Sequence, residues 1–383
     1  MKKILFLFTL LSIFACSAAN KKIVITVQNT GDFDRMTELV EIPVNDLAAK
    51  IQLSKGQDYI IHDNTGKIIT SQTTYDGKFI FQPQLKANEL KEFTISAGET
   101  QVFTPKTYGR FIIERKDDFA WENDRVAFRV YGQALIPIDG PSNGLDLWYK
   151  RTNELIIDKW YKNDISGIAS YHADHGEGLD DYKVGRTLGG GAMAPYVNNK
   201  LCLNENFVSH DLLENGPLRT TFKLTYGDVY VNEQFFTESR TISIDAGAQL
   251  SKITQAYGNT KPMPVAAGIV KRNGSDSVIH NNEYIIYAEP KSESVGNVYV
   301  ALVLPNGIDS IFVGTSEIEQ ANQNKTIFAT HVLAITTMQP NEPITYYTGY
   351  AWSKFGFPAV SNFDEYVKKF TTALKQPLTV NIK

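Results

Sequence analysis

The segment Tyr171–Gly191, YHADHGEGLDDYKVGRTLGGG, gathers two of the chain's six histidines with four carboxylates, one arginine and six glycines. In a locally extended backbone His175 and Glu177 point the same way, and His172 and Asp174 form a second pair. A histidine within reach of a carboxylate is a proton-transfer couple, because the carboxylate fixes the tautomer and raises the basicity of the ring. Gly176 and Gly178 permit sharp bends and close approach to a ligand. Oxygen and imidazole donors from His172, Asp174 and Asp180, joined by His175 and Glu177, form an alternative, a site for a divalent metal ion. A solvated polar loop is the third reading.

Neighbouring stretches supply cations, phenols and aromatic rings. Alternation over Arg125–Tyr131 puts Arg129 and Tyr131 on one strand face, where the first could clamp a carboxylate through two hydrogen bonds and the second could move a proton. A polar, wet sheet face is the plain alternative. Alternation likewise sets Asp146, Trp148 and Lys150 together. Trp148 suits a sugar ring, and equally suits the seam between two sheets, as does Trp160. Arg219 shares a face with Thr221, Lys223 and Thr225, while Lys271, Arg272, Trp352 and Lys354 lie further along. Lining one concave sheet, these would make a basic, aromatic-edged cleft for an acidic sugar. Sharper motifs are missing: there is no phosphate-binding glycine loop, no dinucleotide fingerprint, no His-Glu-x-x-His and no thiolate cluster.

The elements that must position these groups read as strands. Two-residue alternation recurs at Lys22–Gln28, Tyr59–His62, Lys67–Ser71, Phe79–Gln82, Arg110–Arg115, Arg125–Tyr131, Arg219–Tyr226, Glu238–Ile244, Tyr284–Ala288, Val298–Val303 and Thr345–Tyr350, with turn-forming Asp-Gly, Asn-Gly and Gly-Asn pairs between runs. Helical periodicity is nearly confined to Asn362–Lys375. The chain is therefore all-β, a sandwich or barrel. A composition change near Thr100–Thr107 separates a small N-terminal β domain, 20–105, from a larger domain, 106–383.

Residues 1–19 have the build of a secretory signal: Lys2 and Lys3, an apolar run, then small residues. Cys16 follows Ile13-Phe14-Ala15 in a lipoprotein-like box, with cleavage after Ser17-Ala18-Ala19 as the rival. Without Cys16, Cys202 is the one remaining cysteine of two, so an intrachain disulfide is excluded and stability must come from the core. The expected address is the periplasm, with membrane contact through a lipid anchor alone. A net charge of −4 with interspersed signs excludes a nucleic-acid partner.

The words AWENDRVAFRVYG, YHADHGEGLDDYKVGRTLGGG, LENGPLRTTFKLTY, SIDAGAQL, VAAGIV and WSKFGF resemble a family of secreted Bacteroidetes proteins classed as domain of unknown function 4861. The resemblance implies a galactose-mutarotase-like supersandwich, a large twisted antiparallel β-sandwich with a sugar site on a concave face, in a setting of polysaccharide and uronic-acid degradation. The N-terminal part resembles the small β domain preceding some exo-acting rhamnogalacturonan lyases. A shared fold does not supply a reaction. The mutarotase glutamate and histidine come from separate parts of the chain, whereas here the candidates share a loop, so those roles are not carried over.

The reading that unites these features is an enzyme acting on uronate-containing oligosaccharides by β-elimination, with epimerase or hydrolase chemistry on the same sugars as variants. Arg129 or Arg186 would hold the carboxylate, His175 oriented by Glu177 would take the proton, and Tyr171 or Tyr131 would serve the leaving group. A non-catalytic, lipid-tethered oligosaccharide-binding protein is the alternative.

Overall fold

The structure, a computed structural model, describes residues 21–319 and 327–383; the signal segment and the Cys16 lipid anchor lie outside the described residues. Among these residues no helix is long and apolar enough to cross a membrane. The expected strand Lys22–Gln28 forms, with its apolar residues turned inward. It pairs on one side with Leu90–Glu99 and on the other with Thr379–Ile382, so the small N-terminal unit takes its edge strand from the far end of the chain. Gln57–His62 completes this sheet. A three-stranded sheet packs over it around Ile25, Val27, Phe79, Phe81 and Ile95. The strand expected over Lys67–Ser71 starts only at Ser71, because the Asp63 carboxylate takes the Thr65 and Lys67 N–H groups into a turn.

The large unit is a twisted antiparallel sandwich. One layer is an eight-stranded sheet running from Ser209–Asn215 at one edge to Ser277–His280 at the other. The facing layer has two parts. One is a five-stranded sheet, Thr107–Ile112, Asp118–Asn123, Ala127–Val130, Asp146–Lys150 and Gly178–Asp180. The other is a closed five-stranded barrel that includes Gly190–Val197, Met263–Val270 and Ile327–Met338. A parallel bridge between Leu145 and Gly189 joins the two parts. Phe119, Trp121, Phe128, Leu147, Phe222, Ile242, Ile253 and Tyr350 fill the space between layers. Helix Val360–Lys375 covers the outer face of the eight-stranded sheet with Phe363 and Val367.

Two features depart from the sequence reading. The barrel strands Gly190–Val197 and Met263–Val270 are buried almost throughout, so they carry no alternation to read. Helix Ile157–Ile165 forms where no helix was expected. Its first N–H groups, at Ile156 and Ile157, are taken by the buried carboxylate of Glu122, itself paired with buried Lys150 at 2.7 Å. That cap comes from a distant strand, out of reach of any local pattern.

Candidate active site

The five-stranded sheet is buried on both faces. One face feeds the sandwich core through Phe119, Trp121, Phe128, Val130 and Leu147. The other carries the polar groups, and period-two geometry assembles them from four adjacent strands. Arg129 lies opposite Asp146 on one neighbour and Ala120 on the other, and Trp148 lies opposite Asp180. Asp118, two residues before Ala120, shares its face. Helix Ile157–Ile165 and Tyr171 then close over this face, stacking Trp160, Tyr161 and Tyr171 on Trp148. Trp148 is thus fully buried in a second small core and cannot serve as a sugar platform.

Arg129 is the hub. Its Nε donates to Asp146 Oδ2 at 2.8 Å, while Nη2 lies 2.6 Å from Asp146 Oδ2 and 2.7 Å from Asp180 Oδ2. Nη1 reaches the Tyr171 hydroxyl and lies 3.7 Å from Asp118 Oδ2. Tyr131 donates its hydroxyl to Asp146 at 3.2 Å. Arg115 sits at the tip of the preceding hairpin, where Lys116 and Asp117 both adopt left-handed backbone at φ 53° and 61°. It donates through Nε to Tyr171 and lies 3.8 Å from Asp118. Among the described residues three buried atoms on this face accept or donate no hydrogen bond, Arg115 Nη1, Asp118 Oδ1 and Trp148 Nε1. Unpaired buried polar atoms are uncommon in folded proteins, and each calls for an explanation such as an ordered water, an ion or a functional role.

Three carboxyl groups face one buried guanidinium, and their titration reflects it. Burial and the neighbouring Asp146 push the Asp180 carboxyl up to about 8, against the pull of Arg129. Burial raises Asp118 to about 6, opposed by Arg129 and Arg115. Burial alone would depress the Arg129 guanidinium, but Asp146, Tyr131 and Asp180 around it hold it well above its ordinary value. Burial, then Asp146, lifts Tyr131 well above the ordinary phenol range, so it acts as a hydroxyl. Desolvation and the neighbouring Asp146 thus favour the protonated form of Asp180, the condition for a carboxylic acid that can donate.

This acid opens onto a cavity of about 370 Å³, lined by Arg115, Arg129, Tyr131, His172, Asp180 and the segment Asp181–Gly185 among others. The glycine-punctuated loop does reach a hollow, through different residues from those expected. His175 is exposed, its Nε2 on the Ser170 carbonyl, while Glu177 binds Lys159 at 2.7 Å; the two do not pair. Gly178 serves close packing, since a Cβ there would stand 1.8 Å from the Tyr149 carbonyl oxygen. His172 lines the cavity instead, with Nδ1 2.9 Å from the Asp180 backbone carbonyl and 3.6 Å from its carboxyl. A carbonyl can only accept, so Nδ1 carries the hydrogen and Nε2 is left basic.

The other expected residues scatter. The metal reading fails on geometry: Asp174 Oδ1 is occupied by Arg151 and the Gly176 N–H, and His172 Nδ1 by a carbonyl. Among the described residues no three His, Cys, Asp or Glu side chains are arranged to hold an ion. Arg129 is saturated by carboxylates and is not free to clamp a substrate. Arg186 donates to the Leu203 and Asn204 carbonyls, and burial lowers it to about 10. Arg219 ties Asp245 to Glu41 at the seam with the small unit. Lys271 pairs with Asp276 at 2.5 Å. Trp352 is buried with its indole N–H on Val295, and Lys354 is exposed over that ring. Asp118 and Arg115 escaped the sequence reading, although alternation over Asp118–Ala120–Glu122 could have suggested a polar strand face.

An all-β sandwich with a buried acid at the floor of a polar cavity is the class that fold and site define. The chain belongs to the family described as Domain of unknown function (DUF4861), whose model matches residues 27–380. It is similar to uncharacterized protein P7 of Formosa agariphila, 32% identical over 382 residues that cover 94% of this chain and 93% of that one. Among solved structures, a glycosyl hydrolase family 38 protein from Enterococcus faecalis superposes at TM-score 0.48 with 11% identity, over 94% of this chain and 47% of that one. The chain thus spans about half the length of that protein. A heparinase III superposes at TM-score 0.36 with 12% identity, over 67% of this chain and 38% of that one.

Proposed function

We propose that the protein is a carbohydrate-active enzyme that cleaves uronate-containing oligosaccharides by β-elimination in the 370 Å³ cavity. The observation that carries this reading is the buried Asp180 carboxyl at the wall of the cavity with the His172 ring 3.6 Å from it, its Nδ1 held by the Asp180 backbone carbonyl. Elimination next to a carboxylate needs three tasks done together: neutralise the carboxylate, take the proton on the adjacent carbon, and protonate the departing oxygen. Arg115, a cavity-lining cation whose Nη1 makes only a loose 3.8 Å contact with Asp118, suits the first. His172 Nε2 takes the carbon-bound proton, the bond from the β-carbon to the leaving sugar oxygen breaks, and Asp180 gives that oxygen its proton as the double bond forms. Nε2 then releases its proton to water and the Asp180 carboxylate takes one back from water, which restores the Nδ1–H tautomer and resets the site.

Incubation with pectic, glucuronan and glycosaminoglycan fragments should raise the ultraviolet absorbance of an unsaturated sugar. His172→Ala and Asp180→Asn should each abolish that signal. A flat trace with every fragment overturns the lyase reading, and binding without turnover would leave an oligosaccharide-binding protein.

A further inference from the structure

Beside the proposed active site lies a second cavity of about 210 Å³, lined by Tyr149, Asp181, Lys183, Arg272, Glu289, Pro290, Ser292, Val295 and others. Asp181 and Lys183 line both hollows, so one short ridge separates them. Both side chains are exposed, and neither forms an ion pair within the described residues. Between them Tyr182 points inward. Its ring carries the Arg272 guanidinium at 4.7 Å on the side of the second cavity, while its buried hydroxyl has no partner. Arg272 Nε donates to Glu289 Oε1 at 3.2 Å, which sets a fixed donor beside a fixed acceptor at the cavity wall. Pro290, Val295 and Val298 supply apolar surface next to that pair. A fork of donors, a carboxylate and an apolar patch are what a sugar ring asks for, since adjacent hydroxyls both give and accept while the C–H face seeks apolar contact.

We infer that this second cavity is a subsite for the sugar residue next to the one being cleaved, so the substrate is an oligosaccharide of at least two residues lying across the Asp181–Lys183 ridge. The assignment rests on the sugar-processing reading of the first cavity but not on its reaction type. Arg272 and Glu289 hold hydroxyls of the flanking residue, and Lys183 lies over the linkage.

The test is a length series of oligogalacturonides and oligoglucuronans, monomer to tetramer, titrated calorimetrically into the mature protein, with turnover followed in parallel. Affinity should step up by about tenfold or more from monomer to dimer and then level off. Glu289→Gln, which keeps shape but removes the acceptor charge, should erase that step while monomer affinity stays at the wild-type value. Equal affinity for all lengths, no binding in either series, or a Glu289→Gln variant that weakens monomer and dimer alike would overturn the subsite. A step in affinity without unsaturated product keeps the subsite and removes the lyase reading; turnover without a step does the reverse. If Glu289→Gln does not fold, the wild-type series decides alone.

Discussion

Replacing Asp180 by asparagine separates the buried proton from everything else that residue does. Asparagine keeps the shape, and its carbonyl oxygen can still accept from Arg129 Nη2, which now sits 2.7 Å from the carboxyl. In the wild type the carboxyl titrates near 8 when folded against an ordinary value of 3.8, burial being the main cause and Asp146 the second. Because the folded value is raised, the native state binds more protons than the unfolded chain between these limits. The stability tied to this group is therefore complete below about pH 4 and is lost as pH rises through about 8. At about 1.4 kcal/mol per unit the loss is roughly 6 kcal/mol, about 4 of it above pH 5. Urea unfolding of both proteins from pH 5 to 9 reads it directly. Wild type should match or exceed Asp180→Asn at the acid end and fall below it at the alkaline end. Asp118 is raised in the same direction, to about 6, so the comparison is read above that value, where the Asp180 proton is the one being lost. Parallel stability curves would refute the buried proton, and with it the acid that the proposed mechanism uses.

Turnover should likewise decline as pH rises through about 8, when Asp180 loses the proton it donates, and a pH–rate profile of kcat checks this. Arg129→Met leaves Asp146 and Asp180 without their shared cation and should cost about 3 to 5 kcal/mol in urea unfolding, with little rescue by lysine, which cannot reproduce the Nε and Nη2 contacts. Trp148→Ala should cost about 3 to 5 kcal/mol as a core cavity, whereas Lys354→Ala should leave the melting temperature unchanged; similar effects of the two would contradict the burial described. Burial lowers His331 to about 4, so its contribution is present above about pH 6.5 and lost as pH falls through 4, by up to about 3 kcal/mol. His331→Gln should flatten that acid limb in thermal melts across the same range.

Local geometry made part of this molecule legible. Lys22–Gln28, Arg219–Thr225 and Glu238–Asp245 form the strands their alternation implies, because side chains on a pleated backbone must alternate faces whatever surrounds them. The same rule placed Arg129 beside Tyr131, and Asp146 beside Trp148 and Lys150. Strands buried on both faces, such as Met263–Val270, lost the signal because both sides meet apolar neighbours. The loop misled for a related reason: His175 and Glu177 are close in sequence, yet each found another partner, the Ser170 carbonyl and Lys159.

The sequence by itself determined the class of the chain and the faces on which its polar side chains lie, since both follow from residue spacing along one strand. Strand order was decided only in the tertiary structure, and strand order chose which carboxyls would share Arg129. Asp118, Asp146 and Asp180 belong to separate strands, and a burial-driven proton on one of them exists only once the others and the covering helix are in place. An acid of this kind is a property of an assembled, desolvated cluster, and no single segment carries it.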